Sequence, residues 1–192
     1  MSIFKKGTIE PKAPMLPPAE KTPDEWAYWM PSIKALIGTK EIPGKAANAK
    51  IVEFLKTCVL AIKYQLTDST AWCSAFFNWV MKKHGLKRTN SAAAISWFRV
   101  GIELEEPCYG CGFVESYGDG HGHVSFFSSW KIVRDVATIL GGNQSDMVCY
   151  TNWTMYRISG GKKIAKNIRF FWPEGAPLPP YAKVKPKQIG SL

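Results

Sequence analysis

The stretch Asp68-Ser69-Thr70-Ala71-Trp72-Cys73-Ser74-Ala75-Phe76-Phe77-Asn78-Trp79-Val80-Met81 opens on helix-capping residues and is then apolar on almost every side. A helix with no polar face to give to water belongs at the centre, with the rest of the chain around it. His84-Gly85 closes it, and Gly85 suits the left-handed turn that follows many helices. Cys73 falls in its first turn.

Upstream, Thr22-Pro23-Asp24-Glu25 has the pattern of a capping box with proline at the first helical position. That helix is interrupted at Pro31 and restarts towards Gly38. Glu41-Ile42-Pro43-Gly44 reads as a turn. Asn48 caps a further helix, in which Ile51, Val52, Leu55, Cys58, Val59 and Ile62 follow the helical repeat. Downstream, a helix is expected from about Ser91 to Val100. After Gly101 the texture changes, and short alternating runs predict antiparallel strands over 112–117, 123–130, 133–140, 147–158 and 166–171. Helices first and strands second give an α+β fold, a helical half packed on a small antiparallel sheet. Residues 1–21, with Pro11, Pro14, Pro17 and Pro18, read as an extended arm. Residues 22–172 form the single domain, and 173–192 a Pro/Lys-rich surface strap.

The 192 residues suffice for one domain, and 46% apolar with 21% charged residues excludes a disordered chain. The longest apolar run, Cys58-Val59-Leu60-Ala61-Ile62, is far shorter than the roughly 20 residues that span a bilayer. Met1-Ser2-Ile3-Phe4-Lys5-Lys6-Gly7 carries lysines with no apolar segment behind them, so neither a signal peptide nor an anchor is expected. The net charge of +10 favours anionic partners: nucleic acid, anionic lipid or cell-wall polymer. The cations are dispersed (Lys82-Lys83, Lys87-Arg88, Lys162-Lys163, Lys183, Lys185, Lys187) and form no basic arm, so nucleic acid is not expected.

Five cysteines (58, 73, 108, 111 and 149) leave at least one unpaired in a monomer. A helix N-terminus favours an anion, which predicts a lowered pKa and a nucleophilic thiol at Cys73. Ordinary core packing is the alternative reading of the same residue. A thiol nucleophile needs an imidazole as proton carrier, and His123 opens the strand Gly122-His123-Val124-Ser125-Phe126-Phe127. A third group must hold the ring's other nitrogen. A hairpin turning about Val133 sets Asn143 opposite His123 on one face, and a slip of one residue would break that pairing. A competing arrangement is a zinc site of Cys108, Cys111, His121 and His123, although ligands one residue apart on a strand face opposite ways. Cys108 and Cys111 also have the spacing of a small redox pair. His84 reads as a favourable charge at a helix C-terminus. Trp26, Tyr28 and Trp29 read as packing residues, with sugar binding as the alternative.

The ordered series Glu41-Ile42-Pro43-Gly44, Trp72-Cys73-Ser74-Ala75-Phe76, Gly122-His123-Val124 and Gly141-Gly142-Asn143-Gln144-Ser145-Asp146 resembles the NlpC/CHAP group of bacterial and phage cell-wall hydrolases over about residues 35–172. The resemblance implies a papain-like fold. It implies Cys73 as nucleophile, His123 as base and Asn143 as the polar third residue, with no cofactor and no metal. The Cys73 N–H and a second donor, for which Gln65 is the candidate, would meet the oxyanion. Trp72, Gln144 and Asp146, which lie in the same motifs, are the candidate substrate contacts. Cys108 and Cys111 depart from the pattern where the first strand begins. The implied reaction is cleavage of an amide in the peptidoglycan peptide stem. The implied setting is a signal-less type VI effector, with an immunity protein as partner, or a phage lysin, made in the cytoplasm and acting in the cell wall of a target bacterium. A non-catalytic wall-binding module of the same fold, or a zinc hydrolase, are the alternatives.

Overall fold

Helix α5 (Cys73–Lys83) lies in the interior of the fold, with Cys73, Ser74, Ala75, Phe76, Phe77, Asn78, Val80 and Met81 all buried. The structure is a computed structural model that describes residues 21–44, 46–131 and 135–186. Ahead of α5 come four short helices: α1 (Pro23–Trp26), α2 (Met30–Lys34), α3 (Ala49–Leu55) and α4 (Ile62–Gln65). A 3-10 helix spans Ala94–Arg99. The strands are β1 (Ile102–Leu104), β2 (Gly112–Ser116), β3 (Gly122–Trp130), β4 (Val136–Gln144), β5 (Met147–Thr154), β6 (Tyr156–Ser159), β7 (Lys162–Ala165) and β8 (Asn167–Trp172). Six of them form an antiparallel sheet in the order β1-β8-β2-β3-β4-β5, and β6 and β7 make a separate hairpin. This is a mixed α+β fold. No helix among the described residues is long and apolar enough to cross a membrane.

Aromatic rings fasten the helix to the sheet. Phe77 of α5 stacks on Phe126 of β3, ring centroids 4.1 Å apart and planes 6° from parallel. Trp97 and Phe171 of β8 extend the same cluster, also stacked, at 5.8 Å. The one amide inside α5, Asn78, is fully satisfied. Its Nδ2 donates to the Ser74 and Ser91 carbonyls, and its Oδ1 accepts from the Thr89 and Asn90 N–H groups. A buried amide with its partners removed would cost the fold free energy, so this network pins the 89–91 loop to the helix.

Several expectations are met. Thr22 and Glu25 form the capping box, Asn48 caps α3, and Gly85 takes φ +67° after α5. Others need correction. The apolar repeat from Ile51 does not continue to Ile62: α3 ends at Leu55, and Val59 and Ile62 are 86% and 73% exposed. The chain turns away because the Thr57 hydroxyl bonds back to the Phe54 carbonyl and to the Ala75 carbonyl of α5. Asp68 does not cap α5, whose N-cap Trp72 has no side-chain bond. Its buried carboxylate instead accepts from the Ile42 and Asn48 N–H groups, which organises the turn before α3. The helix expected over 91–100 is a 3-10 helix. The run 147–158 divides into β5 and β6, and β1 and the β6–β7 hairpin were not legible. Residues 133 and 134 of the third expected strand lie outside the described residues, as do 1–20 of the arm and 187–192 of the strap. Val184 of the strap bridges Leu104, so the strap pairs with β1 at the sheet edge.

Candidate active site

Cys73 is the first residue of α5, and the N–H of Val124 in β3, one residue after His123, is among the groups that favour its thiolate. Burial raises the Cys73 pKa above its ordinary value, outweighing the Val124, Ser74 and Cys73 N–H groups that favour the thiolate. The expectation of a lowered pKa at the helix N-terminus is thus corrected: desolvation exceeds the pull of these N–H groups. His123 is displaced the other way, down to about 4, again by burial, with the Gln144 bond working against the shift. Each residue is 6% exposed. At neutral pH the resting pair is therefore a thiol and a neutral imidazole, not an ion pair.

The residue that holds the ring is Gln144. His123 Nε2 lies 3.1 Å from Gln144 Oε1. The Gln144 amide nitrogen donates to the Cys149 carbonyl and to Thr151 Oγ1, so Oε1 is the end left to accept. The imidazole must then carry its proton on Nε2, which leaves Nδ1 as the free base. Asn143, expected in this role, has φ +58° and makes no bond to the ring. The hairpin register is as expected where Phe126 meets Leu140 and Phe127 meets Ile139. The β4–β5 pairing then slips between Gly141 and Gln144, and the slip hands the imidazole to the next residue. Val133, the expected turn centre, lies outside the described residues.

Gly142 lets this strand approach the helix. A Cβ on Gly142 would come within 2.4 Å of the Trp72 ring and 2.8 Å of Phe76 Cβ. A segment ahead of α3 closes the same corner. Gly38 donates its N–H to Val148, Val148 to Thr39, and Glu41 to Asp146. The Glu41 side chain accepts from the Trp72 indole at 2.8 Å, and its pKa is raised, first by burial and then by Asp146 and Asp68. The motif words around Glu41, Trp72 and Gly141 thus meet in one corner of the fold.

The remaining expected residues fall elsewhere. Trp72 is fully buried and offers no face to a substrate. Asp146 is exposed at the β4–β5 turn, with φ +59° and its carbonyl bonded to Glu41. Gln65 donates its amide to the Leu60 and Cys58 carbonyls, so it is not free to meet an oxyanion. The zinc arrangement does not assemble: no group of three or more His, Cys, Asp or Glu able to hold a metal occurs among the described residues. His121 is exposed beside Asp119, whereas His123 is buried. Cys108 and Cys111 are free thiols, and the Cys111 N–H donates to the Cys108 carbonyl. The Cys111 thiol lowers the Cys108 pKa, and burial raises that of Cys111. His84 is bonded to Ser32 Oγ at 2.8 Å, and burial lowers its pKa, so it is less a terminal charge than the sequence suggested.

Four residues near the site were not singled out from sequence. Trp153 stacks on the His123 ring, centroids 5.0 Å apart and planes 14° from parallel. Glu115 lies opposite His123 in the β2–β3 register and accepts the Trp153 indole N–H. Lys166 pairs with Glu115 at 3.3 Å. Tyr117, half exposed, has its pKa raised to about 12 by burial, then by Glu115 and the nearby Cys73. The alternation of β2 puts Glu115 on one face with Phe113, a signal that could have marked it as inward. No protein-family model matches the chain, nor does any curated protein or solved structure.

Proposed function

We propose that the protein is a thiol hydrolase that cleaves an amide bond of the peptidoglycan peptide stem, with the papain-like plan that its motifs resemble. The observation that carries the reading is the junction of α5 and β3. The N–H of His123's neighbour favours the Cys73 thiolate, while the imidazole is held through Nε2 with Nδ1 left basic.

From a neutral resting pair, attack and proton transfer go together. Nδ1 of His123 takes the thiol proton as Sγ of Cys73 adds to the amide carbonyl. The oxyanion develops at the N-terminus of α5, where the helix dipole and the Cys73 N–H favour negative charge. The imidazolium then protonates the leaving amine, and the C–N bond breaks to leave a thioester. Water, deprotonated by Nδ1, hydrolyses it and restores the thiol. Gln144 keeps one tautomer throughout. Delivery into the cell wall of a target bacterium, as an effector with an immunity protein or as a lysin, goes with this reading.

Cys73→Ala is expected to abolish release of fragments from purified peptidoglycan while leaving the circular dichroism spectrum unchanged. Mass spectrometry of the fragments made by the native protein identifies the bond. A folded Cys73→Ala variant that still releases them would end the proposal. The near closure of Cys73 and His123 favours a second reading, a wall-binding module without turnover. Sedimentation of the native protein with peptidoglycan, with no fragment released, would select it.

A further inference from the structure

The sheet coils so far that Trp153 of β5 returns over β2 and β3, although β4 separates β5 from β3 in the sheet order. There its indole lies nearly parallel to the His123 imidazole. The indole N–H is held by Glu115, a carboxylate only 5% exposed. Lys166 balances that carboxylate, and its Nζ sits 5.0 Å from the Trp153 ring centroid. A buried carboxylate is costly without partners, and here both its partners belong to the assembly behind the imidazole.

We propose that Trp153 is a positioning residue for His123, and that the Glu115–Lys166 pair fixes Trp153 in turn; the proposal rests on the thiol-hydrolase reading. Gln144 restrains the imidazole at one edge atom only. A single hydrogen bond leaves the ring free to rock about the Cβ–Cγ bond. A flat indole against its face removes that freedom and keeps Nδ1 aimed along one line. The same face meets the imidazolium formed during the reaction with the electron-rich side of the indole, an attraction that the neutral ring does not gain. Trp153 therefore acts on the proton-transfer step, not on substrate binding.

The test joins a kinetic split to a spectroscopic signature. In the native protein, nitrogen-15 NMR of His123 should show a single tautomer protonated at Nε2. Trp153→Ala should average the two tautomers and lower kcat tenfold or more with KM within twofold. Trp153→Phe, which keeps a flat face, should restore the single tautomer and most of kcat. Glu115→Leu should move both readouts in the direction of Trp153→Ala. If Trp153→Ala does not fold, Trp153→Leu, which keeps apolar volume without a flat face, decides in its place. A fixed tautomer and native kcat in the alanine or leucine variant would overturn the proposal, as would a loss expressed in KM alone. The NMR arm needs no turnover, so failure of the hydrolase reading, no fragment release by the native protein, is seen separately.

Discussion

At the scale of single residues, two neighbours in sequence are given different work. Gln144 holds the His123 imidazole, and Asn143 occupies the left-handed position that lets the strand slip. Gln144→Ala is expected to lower fragment release at least about tenfold, the rate equivalent of one ordinary hydrogen bond of about 1.4 kcal/mol. Asn143→Gly, which suits the same φ, should leave the rate within about twofold of native. A turnover assay on the two variants checks the assignment, and the opposite ranking would return the role to Asn143. The raised pKa of Cys73 has its own consequence. In the absence of substrate, iodoacetamide should label Cys73 more slowly at pH 6 than it labels a free cysteine peptide, because little thiolate is present. A third group on the His123 ring was readable, because the expected chemistry demands one. The choice between positions 143 and 144 was not, because a bulge is set by how two strands pack and leaves no mark in alternation.

At the scale of elements, the seam between α5 and β4 governs the site. Gly142→Ala would drive a methyl group into the Trp72 ring and Phe76. Overpacking of this kind costs about 1–3 kcal/mol. Urea unfolding should show that loss, with a fall in turnover because the helix that carries Cys73 is pushed from the strand that leads to Gln144. Asp68→Ala should cost about 2–3 kcal/mol in the same measurement, since it strips a charged acceptor from the Ile42 and Asn48 N–H groups. The capping box at Thr22, the cap at Asn48 and the stop at Gly85 were legible because caps are local. The early end of α3 was not legible. Its apolar repeat continues in sequence, but Thr57 bonds to α5, a contact between residues 18 apart that no local pattern records.

At the scale of the whole molecule, burying an imidazole ties stability to pH. His123 titrates at about 4 in the fold against an ordinary value of 6.5. Between those values the unfolded chain binds the proton and the folded one does not, so stability falls as the pH drops from 6.5 towards 4. The loss approaches about 3 kcal/mol at the lower end. Thermal midpoints across that window should fall with acidification, and the slope should flatten in His123→Gln. The α+β division was legible because periodicity changes once, at Gly101. The pairing of the strap with β1 and the return of Trp153 over β2 were not, since both depend on how far the sheet coils. The most direct measurement is intact-mass spectrometry of the native protein, acid-quenched during digestion of purified peptidoglycan. A thiol hydrolase predicts a peptide-stem acyl adduct on the tryptic peptide containing Cys73. Fragment release that proceeds with no adduct there, and undiminished in folded Cys73→Ala, would contradict it.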